Sequence, residues 1–163
     1  MAMQTRVMDM SDLKDLEPLS KRLNTATDEL NISLKTIEEY LQRLGIGLEV
    51  WGGTIAESAW SDVLDAQEEP TGKREYTETE LGFGRFGDSW VLLVRTRRIV
   101  EDSAGVRDVY EGKTLMPLLR SSRAVRVAAV GAIPKLIDAI EEHAKGVIKS
   151  VEHAKKIADS LNH

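Results

Sequence analysis

The sequence predicts an α+β fold in which a small antiparallel β-meander of three or four strands is packed by helices. Two observations predict it. Apolar residues recur at helical spacing near both ends of the chain, and the middle alternates apolar and polar residues between glycine-containing turns. The order of helix, strands and helices favours helices on one face of one antiparallel sheet. The length of 163 residues suits one domain, so we treat residues 1–163 as a single unit.

The first long helix is predicted over residues 18–45, after an N-terminal segment, residues 1–12, that we expect to be disordered. Its apolar residues recur in steps of three and four, close to the seven-residue repeat of a coiled coil. Gly45 and Gly47 end the pattern. The apolar stripe consists of Leu16, Leu19, Leu23, Ala26, Leu30, Leu34, Ile37, Leu41 and Leu44.

The last helix, predicted over residues 134–161, repeats this design with alternating steps of four and three. The two helices have nearly equal lengths of about 42 Å at 1.5 Å per residue. We therefore expect them to pair antiparallel in coiled-coil fashion; pairing of the same helices between two chains remains an alternative. The second stripe consists of Ile133, Ile137, Ile140, Ala144, Val147, Val151, Ala154, Ala158 and Leu161.

Between the helices, residues 46–115 form the predicted β region. A short strand over residues 46–51 is expected to end at two consecutive glycines. Residues 65–79 are polar and contain a Pro-Thr-Gly turn, so they predict an exposed loop. Gly-Asp-Ser at residues 87–89 lies between two strand-like runs and predicts a hairpin.

A shorter helix is predicted over residues 118–132, because the segment is rich in alanine, with Ser121 or Ser122 as its N-cap. Three arginines recur at every third position of this helix. A row of guanidinium groups can bind phosphate or carboxylate. The same row is also explained if the arginines lie on a solvent-exposed helix face, or if they pair with acidic residues of the N-terminal half of the chain, where Asp and Glu outnumber Lys and Arg. The row consists of Arg120, Arg123 and Arg126.

Residues 81–87, Leu-Gly-Phe-Gly-Arg-Phe-Gly, match G-x-G-x-x-G. A strand follows instead of a helix, which excludes a dinucleotide-binding fold. The string also resembles the glycine-rich loop of protein kinases, but no His-Arg-Asp or Asp-Phe-Gly follows, which excludes that activity. The glycines are then expected either to permit a β-bulge or the close approach of another element to the strand, or to line a ligand pocket. The candidate pocket residues beside the helical arginines are Gly82, Gly84, Gly87, Trp90, Arg95 and Arg97.

Composition excludes several classes of site. The chain has no cysteine, which excludes disulfides and thiolate metal sites. His143 and His153 lie ten residues apart on the last helix and His163 ends the chain, so we expect no metal site and no cofactor. The longest apolar runs are too short to span a membrane, and no secretory signal is visible, so we expect a cytoplasmic protein.

The leading functional hypothesis is a non-enzymatic protein that acts by association, either with itself as a homo-oligomer or with a protein partner. It depends on two observations: the chain has two long heptad-like apolar stripes, and its sequence shows no recognisable set of catalytic residues. The alternative is a module that binds a small anionic metabolite or nucleotide with the glycine hairpin and the arginine row. Nucleic-acid binding is disfavoured, because the net charge is −5 and aromatic residues make up only 5% of the chain.

Overall fold

The computed structural model describes residues 13–161 and confirms the α+β class. The expected disorder of residues 1–12 lies outside the described part. Two single turns of 3-10 helix, Leu118–Arg120 and Val130–Ala132, flank the short middle helix. The helices are α1 (Leu16–Leu44), α2 (Arg123–Ala129) and α3 (Ile133–Leu161). The strands are β1 (Val50–Glu57), β2 (Ser61–Leu64), β3 (Pro70–Phe86), β4 (Ser89–Glu101) and β5 (Arg107–Pro117).

The sheet has five antiparallel strands rather than three or four. The order is β1-β3-β4-β5, and β2 also pairs with β3. The extra extent comes from residues 65–79, where the expectation of a loop was wrong. Only the first residues of this segment form a turn, and from Pro70 onward it belongs to the 17-residue strand β3. The predicted hairpin is present, with Phe86 paired to Ser89 across a two-residue turn.

Strand β1 also differs from the expectation, since it continues through Gly52 and Gly53 instead of ending there. A β-bulge between Trp51 and Gly53 interrupts its register with β3. Helix α3 and the 3-10 turn before it lie directly on these glycines: a Cβ on Gly53 would lie 2.8 Å from the Cβ of Ala132, and one on Gly52 would overlap Ala139 of α3. The paired glycines therefore let the helix approach the sheet closely.

The core lies between one face of the sheet and the three helices. Phe83 and Leu92 sit opposite each other on β3 and β4 and are fully buried. Leu34 of α1 and Leu136 of α3 pack into the same cluster. The cluster consists of Leu34, Leu41, Val50, Leu81, Phe83, Leu92, Val94, Leu118, Ala129, Ala132, Leu136 and Ile140.

Helix α1 closes part of an open edge of β4. Strand β5 pairs with β4 only as far as Leu93, so the backbone groups of Trp90 and Leu92 on that side have no strand partner in the described part of the chain. Glu38 accepts a hydrogen bond from the Leu92 N–H at 2.8 Å, and Gln42 donates to the Trp90 carbonyl at 2.5 Å. Two side chains four residues apart on one helix face thus satisfy the backbone where the strand partner is missing. Burial raises the pKa of the Glu38 carboxyl above its usual range, while the Leu92 N–H opposes this shift.

The structure does not confirm the predicted coiled-coil pairing of α1 with α3. Both stripes turn toward the sheet where they are buried, because Leu41 and Ile140 join the core around Phe83. Outside that region the stripes remain exposed, with Leu19 at 57% and Val151 at 63% of full accessibility. The middle helix was predicted over residues 118–132, but only Arg123–Ala129 is α-helical. Its N-cap is Ser122, whose side chain accepts a hydrogen bond from the Val125 N–H.

Candidate functional site

Arg95 and Arg97 lie on the face of the sheet that is opposite the helices. Arg95 Nε donates to Glu80 at 2.8 Å, and Arg97 donates to Glu78 at 2.9 Å and to Glu80 at 2.7 Å. The four side chains are only 13–21% exposed. The structure therefore brings these two predicted site residues together, but each guanidinium is already neutralised by a carboxylate.

Side chains cover the glycines at positions 82 and 84. A Cβ on Gly82 would overlap the indole ring of Trp51, and one on Gly84 would lie 2.8 Å from Cγ of Glu49. Trp51 is held there by a hydrogen bond from its Nε1 to Glu49 at 3.0 Å and by the Arg95 guanidinium 4.1 Å above its ring. The two glycines thus give room to a tryptophan that packs on the sheet.

The other predicted residues of the glycine hairpin have local roles. Gly87 adopts a left-handed φ of 61° in the β3–β4 turn, where L-residues are strained. Trp90 stacks on Phe83 with ring centroids 5.9 Å apart.

The three arginines of the middle segment face different neighbours. Arg120 lies over the ring of Phe86, 5.9 Å from its centroid, and Arg123 donates to Asn24 Oδ1 at 2.8 Å. Arg126 donates to the main-chain carbonyl of Ser121. These arginines do not converge on one point, and anion binding by them stays a prediction.

An apolar groove of about 580 Å³ separates the end of α1 from the start of α3. Tyr40 and Leu44 form its α1 wall, while Ile137 and Ala144 form its α3 wall. Tyr40, Leu44 and Ile137 are each exposed. The full lining is Thr36, Ile37, Tyr40, Leu41, Arg43, Leu44, Ile46, Ile137, Ile140, Glu141 and Ala144.

Beyond the groove, α3 leaves the domain. Every residue from Lys145 to Leu161 is exposed. This segment, called here the α3 tail, continues the apolar stripe and is about 25 Å long. Lys145 bridges to Glu141 at 2.6 Å and to Glu142 at 3.2 Å, and the bond from Lys145 holds the pKa of the Glu141 carboxyl below its usual range. The exposed large apolar side chains of the tail are Val147, Ile148, Val151, Ile157 and Leu161.

The N-terminal half of α1 has the same character. All residues from Leu13 to Ala26 are exposed, and Leu16, Leu19 and Leu23 each show half or more of their surface. Within residues 13–161, both long helices therefore present apolar faces that no other element covers.

Sequence reasoning did not single out two residues of this region. Tyr40 lies next to the predicted stripe of α1 and lines the groove. Ile148 lies beside the stripe position Val147 and widens the apolar face of the α3 tail. The signal for Ile148 was an apolar residue directly after a stripe position, which widens the apolar face of a helix.

Comparison with protein-family models, with curated protein sequences and with solved structures gave no match. Among residues 13–161, no helix combines the length and apolarity that a membrane crossing needs, and no group of three His, Asp or Glu side chains is arranged to hold a metal ion.

Proposed function

We propose that this protein acts by association with a second copy of itself, through the apolar stripes of its two long helices. The observation that carries the proposal is the α3 tail, where a helix with a regular apolar stripe leaves the domain with every side chain exposed. The alternative partner is a different protein with a complementary helix.

Helix energetics support the proposal. Most helical stability in proteins comes from packing of an amphipathic face rather than from intrinsic helix propensity. The tail contains Gly146, which weakens a helix interior. A stripe that repeats every seven residues is typical of helices that pack against other helices. Contiguous exposed apolar surface of this kind marks interaction sites.

Native mass spectrometry of the full chain tests the proposal, with light scattering over a range of concentrations. We expect a discrete dimer or a higher homo-oligomer. The variant Val151→Glu places a charge in the stripe and should shift the protein toward monomer. His153→Glu introduces the same side chain two residues away, outside the stripe, and should leave the assembly unchanged.

A monomer at all concentrations would refute self-association. Equal behaviour of the two variants in a protein that does form oligomers would refute the assignment of the interface to the α3 stripe, because the stripe would then contribute nothing to assembly. Circular dichroism of both variants guards against a trivial loss of the fold, which is not expected because both positions are exposed.

A further inference from the structure

We infer that the partner of α3 is α3 of a second copy, packed antiparallel about a two-fold axis near residue 149. This inference rests on the proposed self-association and specifies its geometry. From Ile137 to Leu161 the stripe runs in strict alternating steps of three and four. It passes without interruption from the wall of the α1–α3 groove into the exposed α3 tail.

The stripe defines the layers of such a pair. In an antiparallel coiled coil, a residue at the first core position of the heptad packs against a residue at the second core position of the partner helix. The register in which the two stripes overlap along their whole length places the middle of the stripe on the two-fold axis. The α3 tail of each copy then covers the groove of the other. The layers join Ile137 to Leu161, Ala144 to Ala154, and Val147 to Val151 of the two copies. Ala158 of the partner packs against the groove-lining edge of Ile140, a side chain that is otherwise buried in the core of its own copy.

Small side chains suit this arrangement. The groove is already lined by Ile137 and Ile140 on α3 and by Tyr40 and Leu44 on α1. The side chains that enter it from the partner tail include Ala154 and Ala158, which let a third helix approach without displacing those walls. Leu161, which is 80% exposed, reaches the far end of the groove.

The flanking charges select the antiparallel register. In it, Glu141 of one copy lies beside Lys155 of the other, twice by symmetry, and Ile148 meets its own symmetry mate on the axis. In a parallel, in-register pair, Glu141 would face Leu136 and Lys155 would face Ser150, with no ion pair. Glu141 already binds Lys145 at 2.6 Å, and a carboxylate has capacity for a second donor. In such an isologous contact both copies use the same surface, so the assembly has closed two-fold symmetry and stops at a dimer.

The absence of cysteine makes the geometry directly testable. Single-cysteine variants Ala144→Cys and Ala154→Cys are oxidised alone and as an equimolar mixture of the full-length proteins. In the proposed dimer, residues 144 and 154 of different copies share a layer. Two copies of residue 144 are separated by about 15 Å, since ten residues of helix lie between their levels. We expect a disulfide-linked dimer in the mixture and little in either variant alone.

A second test uses the charges at adjacent positions. Lys155→Glu should raise the dimer dissociation constant about tenfold, because it converts two attractive pairs per dimer into repulsive ones. Lys156→Glu, which points to solvent in this register, is the matched control and should have little effect. The double exchange Glu141→Lys with Lys155→Glu should restore most of the affinity.

The outcomes separate the two proposals. A dimer whose Ala144→Cys variant cross-links to itself overturns the antiparallel register and leaves self-association standing. A dimer that responds equally to the changes at 155 and 156 does the same. A monomeric wild-type protein refutes both proposals, because no interface then exists to be assigned.

Discussion

The contact between Glu38 and the Leu92 N–H yields a prediction that can be worked through from the structure. Leu92 is completely buried, and its N–H has the Glu38 carboxylate as its partner at 2.8 Å. Glu38→Ala removes that acceptor and leaves a buried donor unsatisfied. Such a donor costs about 1–3 kcal/mol, which is a large part of the roughly 5–15 kcal/mol that separates folded and unfolded domains.

Glu38→Gln is the matched comparison. Glutamine keeps a side-chain oxygen for the Leu92 N–H and removes a charge whose burial is unfavourable. We expect its free energy of unfolding at pH 7 to be within about 1 kcal/mol of the wild-type value, or higher. The two variants at the same position thus separate the hydrogen bond from the charge.

The pH dependence has a definite sign. Burial raises the pKa of Glu38 in the folded state above the usual value near 4.5. Between 4.5 and that raised pKa, the folded protein binds more protons at this site than the unfolded protein does. Wild-type stability relative to Glu38→Gln should therefore rise as the pH falls through the folded-state pKa, and the gain should be complete near pH 4.5.

Urea denaturation of the three proteins at several pH values between 4.5 and 8 measures all of these differences. The reasoning is refuted if Glu38→Ala is as stable as Glu38→Gln. It is also refuted if the wild-type protein loses stability relative to Glu38→Gln on acidification within that window.

Four further substitutions, in two matched pairs, test the packing and the ion pairs. Gly52→Ala should lower the free energy of unfolding by about 1–3 kcal/mol, because the new methyl group would overlap Ala139, whereas Gly146→Ala, with open space around it, should raise it by about 0.5–1 kcal/mol in the same urea experiment. Glu80→Ala removes the carboxylate shared by two partly buried guanidiniums and should cost about 1.5–3 kcal/mol by thermal or urea unfolding. Glu17→Ala breaks an exposed pair with Lys21 and should change stability by less than about 1 kcal/mol. Equal effects of Glu80→Ala and Glu17→Ala would contradict the role given to Glu80.

Local signals in the sequence predicted local structure well. Gly-Asp-Ser at residues 87–89 predicted the β3–β4 hairpin, although Ser89 already belongs to β4. Ser122, one of the two serines expected as N-cap, caps α2. These features depend on a few neighbouring residues. Turn geometry and capping are satisfied within the segment itself, so the rest of the fold has little influence on them.

The first part of β3 was missed for a physical reason. Residues 70–74 are exposed, because this end of the sheet extends beyond the helices. A strand with both faces in solvent has no apolar face to bury, so it lacks the alternation that predicts strands. The end of β1 was misplaced for a different reason. Its glycines allow the close approach of Ala132 and Ala139, which lie 79 and 87 positions later in the chain, and local sequence patterns do not reveal such a contact.

The long helices show what an apolar stripe can and cannot predict. A regular stripe predicts that one face of a helix will be buried, but its sequence does not say against what. In α3 the stripe changes its environment near Ala144: Ile140 packs against the sheet, while Val151 is exposed. The seven-residue period of apolar residues continues past Ala144, where the packed core ends. A stripe that served only the core would not need to continue beyond that point. This continuity, together with Glu141 and Lys155 at matching flanking positions, favours a second α3 as the surface that buries the tail.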